Sequence, residues 1–418
     1  MPTLLLIAEL LLLLVLLVPA GMVAYLLLLT VAAWLAQKRA TTPERTPSHR
    51  ILFLIPAHNE ATLLPITLAN LRELDYPAEL YEVHVVADNC SDNTAELARA
   101  GGASAHERFH DTLKGKGYAL QWLLEQLWAA ETPHDALVIL DADTVVSANF
   151  LRVMDAKLAA GARAVQAYYA VRDPGSSPVV GLRYIALAVL HYLRPLGRLL
   201  LGGSAGLKGN GMLFRADLMQ QHEWTAHLTE DIEFHMSLIA AGERVHFAPD
   251  AVVWAEMPTT LAGSATQNER WERGRVEMLR RYVPRLLRDC TKALVQGQWG
   301  RAYLNFDAAL EHLIPPFTML VGLSLLLTAA ATLLLGLSLW LAPTLLPWAV
   351  TTLALALFLV LGQTLYVMAG LKLAKAPKSI YKALLHAPAF MFWKLVLYGR
   401  VLTGRQQKGW IRTARNEE

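Results

Sequence analysis

Hydrophobicity in this chain is concentrated at its two ends, and that placement limits the folds open to it. From Thr3 to Ala36 the only ionisable side chains are Glu9 and Tyr25. A helix needs roughly 20 apolar residues to cross a bilayer, so this stretch is long enough for one span with residues to spare. Pro19 and Gly21 would also permit a kink or a tight hairpin; one span, from about Leu10 to Leu35, is the simpler reading. A cleaved leader fits less well, because the apolar region is too long and lacks an early positive charge and a small-residue cleavage site. Lys38, Arg39, Arg45 and Arg50 follow at once and place that side in the cytoplasm. At the other end, Leu313 to Leu341 and Trp348 to Leu371 are each long enough to span, with the uncharged Ala342 to Pro347 between them on the outer side. Lys372, Lys375, Lys378 and Lys382 mark the return inside. His386 to Leu402 is apolar but carries Lys394 and Arg400, which suits an interfacial or re-entrant helix better than a full span.

The polar chain lies between these ends. Over all 418 residues only 17% are charged, against about 25% in ordinary soluble proteins. A net charge of +3 gives no basis for a nucleic-acid partner. Two cysteines, Cys90 and Cys290, support neither a disulfide framework nor a paired-thiol zinc site, and they fit a reducing cytoplasmic setting.

Ile51 to Ile55, Tyr81 to Ala87, Leu137 to Leu140 and Ala164 to Ala170 read as buried strands. Helical stretches over Ala61 to Leu74, from near Thr94, and over Tyr118 to Ala130 alternate with them, which predicts a mostly parallel, doubly wound α/β sheet. The strands end in polar residues. The first runs into His58-Asn-Glu60, the second into Asp88-Asn-Cys-Ser-Asp92, and the third into Asp141-Ala-Asp143, with Gly115-Lys116-Gly117 ahead of a helix. Asp92 alone could be a helix cap, and Asp-x-Asp alone could be a solvated turn. Ligands of open α/β sheets bind beyond the carboxyl ends of the strands. Three such ends on one rim form a pocket suited to a nucleotide, with carboxylates for hydroxyls, a lysine for phosphates and an Asp-x-Asp for a hard divalent cation.

From Ile51 to Tyr282 these motifs resemble the membrane-embedded family-2 glycosyltransferases, the group that includes bacterial cellulose, hyaluronan and poly-N-acetylglucosamine synthases. The resemblance implies a nucleotide-diphospho-sugar transferase (GT-A type) sheet flanked by transmembrane helices. It also implies a nucleoside-diphosphate sugar donor, a UDP-sugar in the first instance, and Mg2+ or Mn2+. It places Glu60 and Asp88 at the nucleoside, Lys116 near the nucleotide, and Asp141 and Asp143 at the diphosphate and metal. The usual Asp-Asp-Gly-Ser pattern is here Ala87-Asp88-Asn89-Cys90-Ser91, so the first acid is missing and base recognition can differ.

Gly202 to Gly211 holds five glycines and ends in Lys208-Gly-Asn-Gly211. Read alone, it is a flexible loop or one that lets backbone approach a ligand. The resemblance makes it the acceptor floor, with Gly209 and Asn210. Thr229-Glu230-Asp231 precedes an apolar-periodic helix. A cap explains one acid there; the resemblance implies that Asp231 is the general base and Glu230 lies by the acceptor. Gln267-Asn-Glu-Arg270-Trp271 follows. A basic amphipathic helix is the plain reading, whereas the resemblance implies Arg270 on the diphosphate, Trp271 stacked on the acceptor sugar and Gln267 beside it.

The domain division that results is a transmembrane segment over 1–37, a linker over 38–50, a cytoplasmic transferase domain over 51–272, interfacial helices on anionic lipid over 273–312, two spans over 313–371, and an interfacial helix with a basic tail over 372–418. The expected activity is inverting transfer of a sugar to a lipid-linked or growing glycan acceptor at the inner membrane face. Single addition, or nucleotide-sugar binding without turnover, are the alternatives. Two spans after the catalytic region are few for a polymer channel, which leaves room for a second copy or an export subunit.

Overall fold

The computed structural model describes residues 2–39, 45–222, 224 and 230–402. Its centre is one eight-stranded sheet: β1 (Ile51–Ala57), β2 (Tyr81–Asp88), β3 (Ser104–Arg108), β4 (Ala136–Ile139), β5 (Thr144–Val146), β6 (Ala164–Val171), β7 (Met212–Arg215) and β8 (Val245–Ala255). The spatial order is β3-β2-β1-β4-β7-β6-β8-β5. β3, β2, β1 and β4 are mutually parallel. β7 runs antiparallel to both β4 and β6, β8 is parallel to β6, and β5 closes the edge antiparallel to β8. The sheet is therefore mixed and mostly parallel. β1 and β4 are buried along nearly their whole length, because helices cover both faces, and this is why they read as unbroken apolar runs.

The reversal at β7 matters for the site. β7 opposes β4 with Met212 against Ile139. The glycine-rich segment leading into β7 therefore opens on the same rim as the carboxyl ends of β1, β2 and β4. Four strands were not apparent in the sequence. β3 is a polar edge strand and β5 has three residues. β7 has four. β8 is interrupted by a register shift, where Ala167 faces Ala248 but Tyr168 faces Val252, so Pro249 and Asp250 fall in the gap.

Among the described residues five helices are long and apolar enough to cross a membrane: Pro2–Lys38, Pro178–Leu200, Phe317–Leu341, Pro343–Leu373 and Ile380–Gly399. By length and composition they support membrane association. The first runs unbroken through Pro19 and Gly21. Pro178–Leu200 differs from the rest in being mostly buried within the chain, where it lies between the sheet and the long apolar helices. Two glycines permit that packing. A Cβ at Gly197 would lie 2.4 Å from the Leu29 carbonyl oxygen, and one at Gly362 would lie 2.5 Å from Val23. Small residues at such crossings let helix backbones approach closely.

The same layer holds buried arginines paired with acids and phenols. Arg198 donates to both oxygens of Asp307 at 2.7–3.1 Å, and the Tyr25 hydroxyl donates to Asp307 at 2.8 Å. Arg194 donates to the Tyr366 hydroxyl at 2.7 Å and to Glu311 at 3.4 Å. Gln37 closes the layer by donating to the Tyr192 hydroxyl at 3.0 Å and the Leu373 carbonyl at 2.9 Å. The Leu261–Val295 helix is continuous across residues 272 and 273 and packs on the Trp299–Leu313 helix.

Candidate active site

The rim of β1, β2 and β4 carries the first group of side chains. At the ends of β1 and β2 the chain turns through Asn59 (φ 55) and Asn89 (φ 52), left-handed positions that asparagine tolerates better than most residues. The two turns are tied together: Asn59 Oδ1 accepts from the Ser91 backbone at 2.8 Å, and the Glu60 N–H donates to Thr94 Oγ1 at 2.8 Å. Asp88 is buried. Its carboxylate accepts from Arg108 at 2.5 Å and from the Gly115 N–H at 3.3 Å. Asp88 thus fixes the start of the Lys116–Ala129 helix and so the position of Lys116. Arg108 had no motif to announce it.

Lys116 joins the two halves of the site. Its ammonium donates to Asp141 and to the Gly209 carbonyl. The Asp141 N–H donates to Asn210 Oδ1 at 3.1 Å. Gln166, from β6, holds the glycine-rich loop from behind: its amide donates to the Asn210 carbonyl at 2.8 Å and accepts from the Lys208 N–H at 2.9 Å. Gly209 has φ +78, and a Cβ there would lie 3.4 Å from Asp231 Oδ2, so the loop backbone lies directly against that acid.

Glu230 and Asp231 open the Glu230–Ala241 helix. Thr229, the first residue of their motif, lies outside the described residues. Burial pushes both carboxyls upward; for Glu230 the charge of Asp231 adds to this and brings it to about 7. Burial alone would lower the Lys116 ammonium, but Asp141, Glu230 and Asp231 outweigh it and the net direction is up. One lysine thus sits in the field of three acids, two of them on the loop-and-helix side and one at the end of β4.

The Gln267, Arg270 and Trp271 positions fall at i, i+3 and i+4 of the Leu261–Val295 helix, on one face. Thr260 caps that helix by accepting from the Gly263 N–H at 3.1 Å. Tyr169, at the far end of β6, links this face to the strand ends. Burial first, then the charges of Asp141 and Asp143, raise its phenol, while Arg183 and Arg270 oppose them, so all four groups lie within electrostatic reach of one ring. The Arg183 guanidinium lies 4.8 Å from the centre of the Trp271 ring. Lys116, Asp141, Gly209, Asn210, Glu230 and Asp231 therefore form one group, joined through Asp141 and Tyr169 to Asp143, Arg270 and Trp271. Glu60 and Asp88 stand to one side at the ends of β1 and β2. Gln267 lies one turn before Trp271, its side-chain oxygen buried and without a hydrogen bond among the described residues.

Two carboxylates one residue apart suit a hard divalent cation. Magnesium is usually held by one or two carboxylates and completes its shell with water and substrate phosphates. Among the described residues no three His, Cys, Asp or Glu side chains form a ligand cage, so a cation at Asp141 and Asp143 would share its shell with a ligand.

Poly-beta-1,6-N-acetyl-D-glucosamine synthase of Staphylococcus aureus (strain COL) is 30% identical over 238 residues, 55% of this chain and 56% of that protein. Its Staphylococcus epidermidis counterpart is 28% identical over the same length. The chain spans about half the length of these curated relatives. The solved mannosyltransferase PcManGT from Pyrobaculum calidifontis, in complex with GDP-Man and Mn2+, covers 93% of this chain and all of its own at 17% identity and a TM-score of 0.47. The family described as glycosyltransferase like family 2 matches residues 47–274, more than half the chain and every site residue placed above, and the chain is an enzyme of that family.

Proposed function

We propose that this protein is an inverting, metal-dependent glycosyltransferase that works at the cytoplasmic face of a membrane on a lipid-linked or growing glycan acceptor. The observation that carries the reading is the placement of Lys116. It touches the Asp-x-Asp end of β4 and lies in the field of Glu230 and Asp231, so a donor grip and a base are brought within reach of one lysine.

In this reading Glu60 and Asp88 border the nucleoside, with Asp88 acting through Gly115 on Lys116. Lys116 and Arg270 hold the diphosphate of the donor. Asp141 and Asp143 would hold Mg2+ or Mn2+, which would supply positive charge against the departing diphosphate. Trp271 and Gln267 position the acceptor sugar above Gly209 and Asn210. Asp231 takes the proton from the attacking hydroxyl as the bond to the anomeric carbon forms, and the nucleoside diphosphate leaves from the opposite face. Glu230, raised to about 7, stays partly protonated and reduces the repulsion Asp231 would otherwise face. The Pro2–Lys38, Phe317–Leu341 and Pro343–Leu373 helices are the spans, with the basic residues after Trp34 and Leu371 on the inside.

The test is a donor screen on the purified membrane protein with UDP- and GDP-sugars and Mn2+ or Mg2+, following nucleoside diphosphate release and product mass. Metal-dependent release with one donor, with matching sugar added to a glycan or lipid, is the expected result. No release with any donor and acceptor would overturn the reading. Product length separates a polymerase, which would need further helices from a second copy or another subunit, from a single-addition enzyme.

A further inference from the structure

Resting on that reading, we propose that Arg183 is a second phosphate-binding residue of the site, paired with Arg270. Arg183 is the only fully charged residue between Pro178 and Leu193. It sits in an apolar helix wedged under the sheet, where a cation is costly unless something compensates it. The next two arginines on this stretch are compensated: Arg194 by Tyr366 and Glu311, and Arg198 by Asp307. Among the described residues Arg183 has no hydrogen bond or ion pair; its guanidinium lies against the Trp271 ring, 4.8 Å from the ring centre. The carboxylate whose field reaches it, Glu272, is already occupied by Lys394 at 3.0 Å and the Tyr398 hydroxyl at 3.3 Å.

The direction of the idle guanidinium is given by its neighbours. Arg183 and Arg270 both act on Tyr169, and so do Asp141 and Asp143. Arg270 also lacks a hydrogen-bond partner among the described residues. The fold thus pairs Arg194 and Arg198 and leaves two guanidinium forks without a partner among the described residues, one stacked on Trp271 and both within electrostatic reach of the tyrosine that also feels Asp141 and Asp143. A guanidinium fork matches two oxygens of a phosphate, and stacking on an indole fixes its plane without using its donors. The group it would take is a phosphate, either from the donor's diphosphate or from a phosphate that links an acceptor to lipid.

The experiment compares wild type with Arg183→Met and Arg183→Lys, by calorimetry with UDP, GDP, uridine and guanosine in the presence of Mn2+, and by steady-state kinetics with acceptor. If the phosphate is the donor's, Arg183→Met weakens the nucleoside diphosphate by about 10- to 100-fold and leaves the bare nucleoside unchanged, with Arg183→Lys between. If it is the acceptor's, nucleoside diphosphate affinity holds and kcat/KM for a lipid-phosphate acceptor falls by a similar factor. A merely structural stack would weaken nucleoside and nucleoside diphosphate alike, and that result overturns the proposal. So does a variant that matches wild type in every measurement. A wild-type protein that binds no nucleoside diphosphate at all removes the transferase reading, and this proposal with it.

Discussion

Lys116→Met separates the electrostatic role of this residue from its contact with the donor. In the structure Lys116 stabilises the ionised forms of Glu230 and Asp231, while burial favours their neutral forms. A base works deprotonated, so activity should rise as pH climbs through the apparent pKa of the Glu230–Asp231 pair. An opposite charge within a few ångströms lowers a carboxyl by about 1–3 units. Removing the ammonium should move the acid limb of kcat upward by on the order of one unit, about 1.4 kcal/mol. If the wild-type limb lies near the value of about 7 reached by Glu230, the ionised fraction at pH near 7 falls from about one half to about one tenth, roughly a five-fold loss that recovers at about pH 9. Lys116→Arg keeps the charge and should leave the limb in place even if its height changes. The assay is initial-rate nucleoside diphosphate release at saturating donor across pH. A uniform drop with the limb unmoved would mean that Lys116 only contacts the donor and does not tune the base.

Three further outcomes follow from contacts already described. Asp143→Asn should raise the Mn2+ concentration needed for half-maximal nucleoside diphosphate binding by at least about tenfold, since one of two protein carboxylates is lost; an unchanged metal titration would remove Asp143 from the metal site. Asp307→Ala leaves Arg198 buried without its partner and should cost about 3–5 kcal/mol, seen as early unfolding in detergent. Asp307→Asn combined with Arg198→Met should melt closer to wild type than Asp307→Ala, and equal melting of the two would contradict the pairing argument. Gly197→Ala places a methyl 2.4 Å from the Leu29 oxygen and should destabilise by about 1–3 kcal/mol, because a well-packed crossing has no room for it; an unchanged melting temperature would mean that the crossing is loose.

What the sequence revealed and what it concealed divide along physical lines. β1 and β4 were legible because burial on both faces demands continuous apolar residues, as in Ile51 to Ile55, and β2 and β6 because their later residues are buried and mostly apolar. β3 was not, because Ser-Ala-His-Glu-Arg is an edge strand with one side open to water. β8 was not, because Pro249 and Asp250 break its apolar pattern at the register shift. The acidic strand ends could be read because carboxylates follow directly on buried apolar runs; the Gln-x-x-Arg-Trp set stood out from a basic amphipathic helix only through its resemblance to family-2 glycosyltransferases. Arg108, Tyr169 and Arg183 could not, since each acts through a partner distant in the chain: Asp88, Asp141 with Asp143, and Trp271. For Arg183 a signal was present. One full charge in sixteen otherwise uncharged residues calls for an explanation.

The central claim is that Asp231 takes a proton from the acceptor and does not hold the donor. Asp231→Asn tests it when donor affinity and turnover are measured on the same preparation. The account predicts nucleoside diphosphate binding within about threefold of wild type and a kcat lower by roughly 100- to 10,000-fold, the usual contribution of a positioned general base. Turnover at the wild-type rate would contradict it, and so would a loss confined to donor binding.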